Sequence, residues 1–147
     1  MSQTRIRVSW GPYNEGKKLK HVDPVSTLTY TYIQGPCYCL SCRKISGSTN
    51  TLNLLLPEDK FKVIAGSAKN WTGTHESGKK LTVYFCGDCG TTIYKTHELF
   101  PGMVVILAGT LDDPQGLEQA KPMVELFSKH RVSWLPGLSW TEQKEEF

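Results

Sequence analysis

The sequence lacks any apolar run approaching the roughly 18 residues that a membrane-spanning helix needs, so no membrane partner is expected. It also lacks a long basic helix or arm. The net charge is only +3, and its densest basic spots are Lys17-Lys18-Leu19-Lys20 and Lys79-Lys80. No nucleic-acid partner is therefore expected, although a small anionic substrate would be drawn to such spots. Met1-Ser2-Gln3-Thr4-Arg5 lacks the basic-then-apolar opening of a secretory leader. The expected location is the cytoplasm, where thiols stay reduced and close-set cysteines more often hold metal than form disulfides. The odd count of five cysteines also argues against a full disulfide framework.

Helical periodicity is scarce too. Cys42 to Gly47, Pro57 to Lys60 and Gln115 to Ala120 each have room for about one turn. Strand signals fill the rest: Ser26 to Ile33, Thr51 to Leu56, Phe61 to Ala65, Leu81 to Phe85, Thr91 to Tyr94, Met103 to Ala108, Val124 to Phe127 and Val132 to Leu135. Glycine or proline punctuates nearly every gap, and Cys86 to Gly90 reads as the tip of a hairpin. With 147 residues and no internal repeat, the expectation is one mainly-β domain over 1–147, with a frayed polar tail at about 141–147. Trp71, Tyr84, Phe85, Tyr94, Phe100, Phe127 and Trp134 are expected mostly in its core.

What the sequence does hold is a dense set of thiols. Cys37-Tyr38-Cys39-Leu40-Ser41-Cys42 packs three into six residues, and Cys86-Gly87-Asp88-Cys89 adds two. Close-set thiolates suit zinc, which favours soft sulfur ligands in a tetrahedral shell. Two arrangements follow. Cys39, Cys42, Cys86 and Cys89 would make a closed four-sulfur structural site. Cys37, Cys39 and Cys42 would instead form a tripod with one position open to water, substrate or another ligand.

Cys37 to Gly47 together with Phe85-Cys86-Gly87-Asp88-Cys89-Gly90-Thr91 resembles the glutathione-dependent formaldehyde-activating enzyme and centromere-protein-V family. Gly109-Thr110-Leu111-Asp112-Asp113-Pro114 and Pro122-Met123-Val124-Glu125-Leu126-Phe127, with Arg131 and Trp134, are similar to its downstream pattern. The resemblance runs from about Gly35 to Pro136, and the wording is most similar to fungal members. It implies a β-tent, that is, twisted antiparallel sheets around zinc knuckles. It also implies Zn²⁺ as cofactor, glutathione as a candidate co-substrate, and carbon–sulfur lyase chemistry on a small molecule such as S-hydroxymethylglutathione. The family's catalytic site maps onto Cys37, Cys39 and Cys42. Its structural site maps onto Cys86 and Cys89 plus an earlier Cys-x-Cys, which is missing here. The lost pair should fall near Lys18-Leu19-Lys20, where His21 is the one remaining candidate ligand. Cys86 and Cys89 are then free, paired with each other, or recruited to the tripod's ion.

Proton transfer beside such a site needs a partner. His75, His97, Glu98, Asp112 and Glu125 are candidates, with Glu125 singled out because many family members carry His at the matching position. Tyr38, lying between two ligands, is expected near the metal face. Arg43 and Lys44 directly after the zinc loop, and His130 with Arg131, are candidates for binding an anionic substrate group. The expected catalytic set is thus Glu125, Tyr38 and Arg43, and the expected substrate-binding set Arg43, Lys44 and Arg131. Two other classes stay open: a zinc enzyme of this scaffold catalysing dehydration, isomerisation or decarboxylation, and a non-catalytic zinc-binding scaffold. The sequence sets no oligomeric state.

Overall fold

The computed structural model describes residues 33–63, 68–112 and 114–147. The Ser26 strand, the Lys18-Leu19-Lys20 segment and His21 lie outside them. Six strands, β1 (Ile33–Cys37), β2 (Thr51–Pro57), β3 (Ala68–Thr74), β4 (Lys80–Cys86), β5 (Thr92–His97) and β6 (Met103–Leu107), form one antiparallel sheet in the order β1-β2-β6-β5-β4-β3. Two short helices, α1 (Leu40–Ser46) and α2 (Pro114–Gln119), and a parallel pair, β7 (Val124–Glu125) with β8 (Glu142–Gln143), complete the fold. The mainly-β, antiparallel expectation stands.

The two faces of the sheet differ in chemistry because side chains alternate along each strand. On one face Leu54 pairs with Ile106, Ile106 with Tyr94 and Tyr94 with Tyr84. Leu54, Leu56, Val104 and Ile106 are fully buried there with Ala108 and Ala120, and Phe61 packs on Tyr94 at 4.6 Å. The opposite face buries polar groups, namely Thr51, Asn53, Lys95 and His97. Burial of that kind costs free energy unless partners are found.

The turns follow from glycine where the backbone requires it. Gly47 closes α1 at φ 64° and Gly90 closes the Cys86 hairpin at φ 75°, where its N–H donates to Cys86 O at 3.0 Å. At Gly35 the reason is space. A Cβ there would lie 1.8 Å from the Val124 carbonyl oxygen, so only glycine lets β7 lie against β1. That contact is sealed by Met123 N–H donating to Gln34 O, Leu126 N–H to Pro36 O and Tyr38 N–H to Leu126 O, at 2.7–2.9 Å.

Several local expectations change. Ala68–Thr74, not anticipated, is an edge strand, and its Trp71 is 62% exposed. Phe61 to Val63 carries no strand, because Phe61 caps a 3₁₀ turn over Glu58–Lys60 and turns its ring into the core instead. Val132 to Leu135 is a turn, with Leu135 N–H donating to Val132 O at 3.0 Å, and Trp134 is 72% exposed. The tail expected to fray is held instead. Lys144 N–H donates to Glu125 O and Ser128 N–H to Lys144 O, both at 2.9 Å, while the Phe147 ring packs on Phe127 at 4.8 Å.

Candidate metal centre

Cys37 ends β1, Cys39 is the N-cap of α1, and Cys42 lies in that helix's first turn. The strand end, cap and turn bring three sulfurs together, all within 4.8 Å of one another and each residue no more than 3% exposed. The Cys42 N–H donates to Cys39 Sγ at 3.3 Å, the kind of amide-to-sulfur bond that stabilises a thiolate ligand.

The protonation of the cluster is uneven. Contact with Cys39, then with Cys42, and burial push the Cys37 thiol far up. Cys39 is lowered by its contact with Cys37, but contact with Cys42 and burial outweigh this and push it up to about 12. Cys42 goes the other way. Contacts with Cys37 and Cys39 hold it well below the ordinary thiol value, burial opposes them, and the Lys95 charge adds to the lowering. Charge in the buried trio thus falls on Cys42 in preference to Cys37 and Cys39, and a bound cation would displace the thiol protons that remain.

Lys95 is the residue the sequence reading missed. It is 2% exposed, and its Nζ donates to Cys42 Sγ (3.2 Å), Thr51 Oγ1 (3.2 Å) and Asn53 Oδ1 (3.1 Å). All three donors of the ammonium are used. Three thiolates around a divalent ion carry one net negative charge, and a buried ammonium in direct contact offsets it. These sulfurs can hold a metal ion, and their surroundings fit one: soft ligands, a preset amide donor and a matching countercharge.

Glu125 is buried completely, with Val124 and Leu126 beside it also buried, so the strand does not expose it to solvent. Its Oε1 accepts from Leu138 N–H (2.6 Å), Thr141 Oγ1 (2.8 Å) and Gln143 Nε2 (2.6 Å). Its Oε2 accepts from Tyr38 OH (2.8 Å) and Arg131 Nη1 (2.9 Å). Burial alone would raise this carboxyl. The bonds from Gln143, Leu138, Tyr38 and Thr141 overcome that and hold it at about 2. Tyr38 is buried in the same cluster as the three cysteines, and its hydroxyl turns to Glu125. Arg131 lies over the Tyr38 ring at 5.8 Å.

Other candidates disperse. Arg43 and Lys44 are exposed on the last turn of α1. His130 Nε2 pairs with Glu76 Oε2 at 2.8 Å, while Glu76 Oε1 accepts from Leu40 N–H at 2.8 Å. Glu98 accepts from Lys80 N–H, and Asp112 is exposed. His75 and His97, by contrast, come together with ring centroids 4.8 Å apart, and a His75 nitrogen, Cys39 Sγ and a Glu76 oxygen lie within 4.8 Å of one another. Burial lowers both imidazoles, that of His97 to about 4. A groove of about 290 Å³ reaches this layer at His97 and Phe100 and touches none of the three cysteines.

Cys86 and Cys89 do not join the tripod. Cys86 is two residues beyond Tyr84 on β4 and packs with Leu54, Ile93 and Ile106, on the far face of the sheet. Its Sγ accepts from the N–H groups of Asp88 (3.3 Å) and Cys89 (3.4 Å), and no disulfide forms. Both cysteines are free among the described residues.

A family model described as glutathione-dependent formaldehyde-activating enzyme matches residues 25–130, which include all five cysteines, and the chain belongs to that family. A search of curated proteins returns no match.

Proposed function

From that membership we propose that the protein is a zinc-dependent carbon–sulfur lyase-type enzyme of the cytoplasm, acting on a small glutathione adduct such as S-hydroxymethylglutathione. The observation that carries the reading is the buried tripod of Cys37, Cys39 and Cys42 with a countercharge already in place. Zinc, when bound there, would supply an acid that lowers the pKa of a substrate thiol and makes it a better nucleophile or leaving group.

The chain's own residues set the conditions. Lys95, pinned by Thr51 and Asn53, offsets the excess charge of three thiolates, which keeps the site receptive to a further anionic sulfur. Tyr38 and Arg131 are fixed by Glu125, and Tyr38 packs with the three cysteines. We assign Glu125 to positioning rather than proton transfer, since both of its oxygens are fully engaged. Arg43 and Lys44, exposed at the end of α1, meet the carboxylates of an arriving glutathione from solvent.

The test is direct. Purified protein should carry about one zinc per chain and turn over S-hydroxymethylglutathione, and Cys39→Ser should lose both metal and turnover. Metal retained without turnover of any glutathione adduct would refute the lyase reading.

A further inference from the structure

His75 and His97 sit beside the cysteine cluster with an unmet demand. They are 3% and 7% exposed, and the Nε2 of each is buried without a hydrogen-bond partner among the described residues. Their other nitrogens are engaged in a revealing way. Ser77 N–H donates to His75 Nδ1 at 3.1 Å, with the Ser77 hydroxyl also 2.9 Å from that nitrogen, and Leu99 N–H donates to His97 Nδ1 at 3.1 Å. A backbone N–H can only donate, so these contacts favour the tautomer with a lone pair on each Nδ1, to which in His75 the Ser77 hydroxyl can also donate, and the proton on each Nε2. A doubly protonated ring would carry a proton at Nε2 as well. In that tautomer two N–H donors are buried with nothing among the described residues to receive them.

This pattern argues against a metal on either ring. A ligating imidazole usually donates its second N–H to a carbonyl or carboxylate, leaving the metal-facing nitrogen bare. Here the polarity is reversed. What the pair lacks is an acceptor, and each unmade bond is a free-energy cost that an arriving oxygen would relieve. The walls are aromatic: Phe127 lies 5.4 Å from His75, Phe100 lies 5.8 Å from His97, and Phe147 packs on both imidazoles at 5.5 and 5.4 Å.

We propose that the Nε2–H groups of His75 and His97 form a substrate-oxygen subsite, receiving the carbonyl or alkoxide oxygen of the carbon that bonds to sulfur at the adjacent cluster. This deepens the lyase reading and rests on it for the sulfur half of the substrate. In the addition direction the thiolate sulfur bonds to the carbonyl carbon while the C=O π pair moves to oxygen. That oxygen takes up, through water, the proton the thiol gave up. In the lyase direction the hydroxyl proton leaves, C=O re-forms, and the C–S pair departs with sulfur. The two donors lose no proton. They bind the oxygen most strongly when its charge is greatest, as an oxyanion hole does.

The experiment uses the full chain, uniformly labelled with ¹⁵N. Long-range proton–nitrogen correlation of the rings should show Nε2 protonated in both histidines at neutral pH. Adding formate, a small planar oxygen acceptor, should move both Nε2–H resonances saturably. His97→Phe should weaken formate binding about tenfold, and His97→Gln, whose Nε2 restores a donor at the same reach, should recover it. Turnover should fall about 10²-fold in His97→Phe with zinc content unchanged. A proton on Nδ1 of either ring, or no response of either Nε2–H to formate, overturns the proposal; so does a Gln variant no better than Phe. Should formate register at the pair while glutathione adducts fail to bind, the subsite stands and the glutathione reading falls.

Discussion

Replacing Lys95 with methionine removes one charge and keeps most of the side-chain volume. At 3.2 Å from Cys42 Sγ, the ammonium interacts with a thiolate by about 5 kcal/mol at an effective dielectric constant of ~20. The Cys37 and Cys39 thiols also hold the Cys42 pKa down, but S–H is a weak donor and cannot stand in for a full countercharge in a site 3% exposed. Metal-free Lys95→Met should therefore hold more protons on the cluster than the parent does. Metal binding must then expel more protons from the variant than from the parent. Zinc titration calorimetry in buffers of differing ionisation enthalpy reads that count. The variant should also lose its thiolate absorbance in the ultraviolet and fall in stability by about 1–3 kcal/mol, because Asn53 Oδ1 and Thr51 Oγ1 lose a donor. An unchanged proton count would refute the assignment of Lys95 as the counterion of the cluster.

Cys86→Ser should leave metal content unchanged, in contrast to Cys39→Ser, because Cys86 faces the other side of the sheet; metal analysis after gel filtration separates the two. Glu125→Ala should destabilise the fold by about 3–5 kcal/mol in denaturant unfolding, since it leaves Arg131 and four neutral donors facing an empty position. Glu125→Gln should recover part of that loss. For pH, His97 lies at about 4 when folded against an ordinary 6.5, so the unfolded chain binds the extra proton first. Its contribution is whole above pH 6.5 and is lost as pH falls toward 4, by up to about 3 kcal/mol. Unfolding free energies across that window should slope less in His97→Gln. Gly35→Ala should detach β7 from β1, read as loss of protection of the Met123 and Leu126 amides in hydrogen exchange.

The cysteine tripod was legible because its geometry is largely local: a strand end, a cap and a helical turn within six residues bring the three sulfurs together. Strands carried by a local run of strong β-formers, such as Lys80–Cys86 and Met103–Leu107, were legible for the same reason. Lys95 was not. The pairing of β4 with β5 shifts register between Tyr84 and Phe85, so counting alternation from Ile93 does not give the face on which Lys95 lies. A lysine inside a strand reads as solvated until its partners Thr51, Asn53 and Cys42 are known, and these are 42–53 residues away. The tail failed for a related reason. Its polar residues look unfit for burial, yet Thr141 and Gln143 are the donors a buried Glu125 requires. The edge strand Ala68–Thr74 has little apolar signal because most of it is exposed.

The division of labour between the sheet faces explains why a small fold can tolerate so many buried polar groups. One face supplies the apolar burial, with Leu54, Leu56, Val104 and Ile106 each no more than 1% exposed. That leaves the other face free to carry groups whose partners are polar or ionic. On it the polar groups form two sets with different states of completion. Lys95, Thr51, Asn53 and Cys42 satisfy one another. Nε2 of His75 and of His97 satisfy nothing. A stability argument accounts for the first set and not for the second, since hydrophobic residues of equal volume would remove the cost of two orphaned donors. The unmet pair beside a satisfied, charge-balanced thiol cluster is what an arriving oxygen would complete, and the proposed reading would put the substrate's oxygen with the imidazoles and its sulfur with the cysteines.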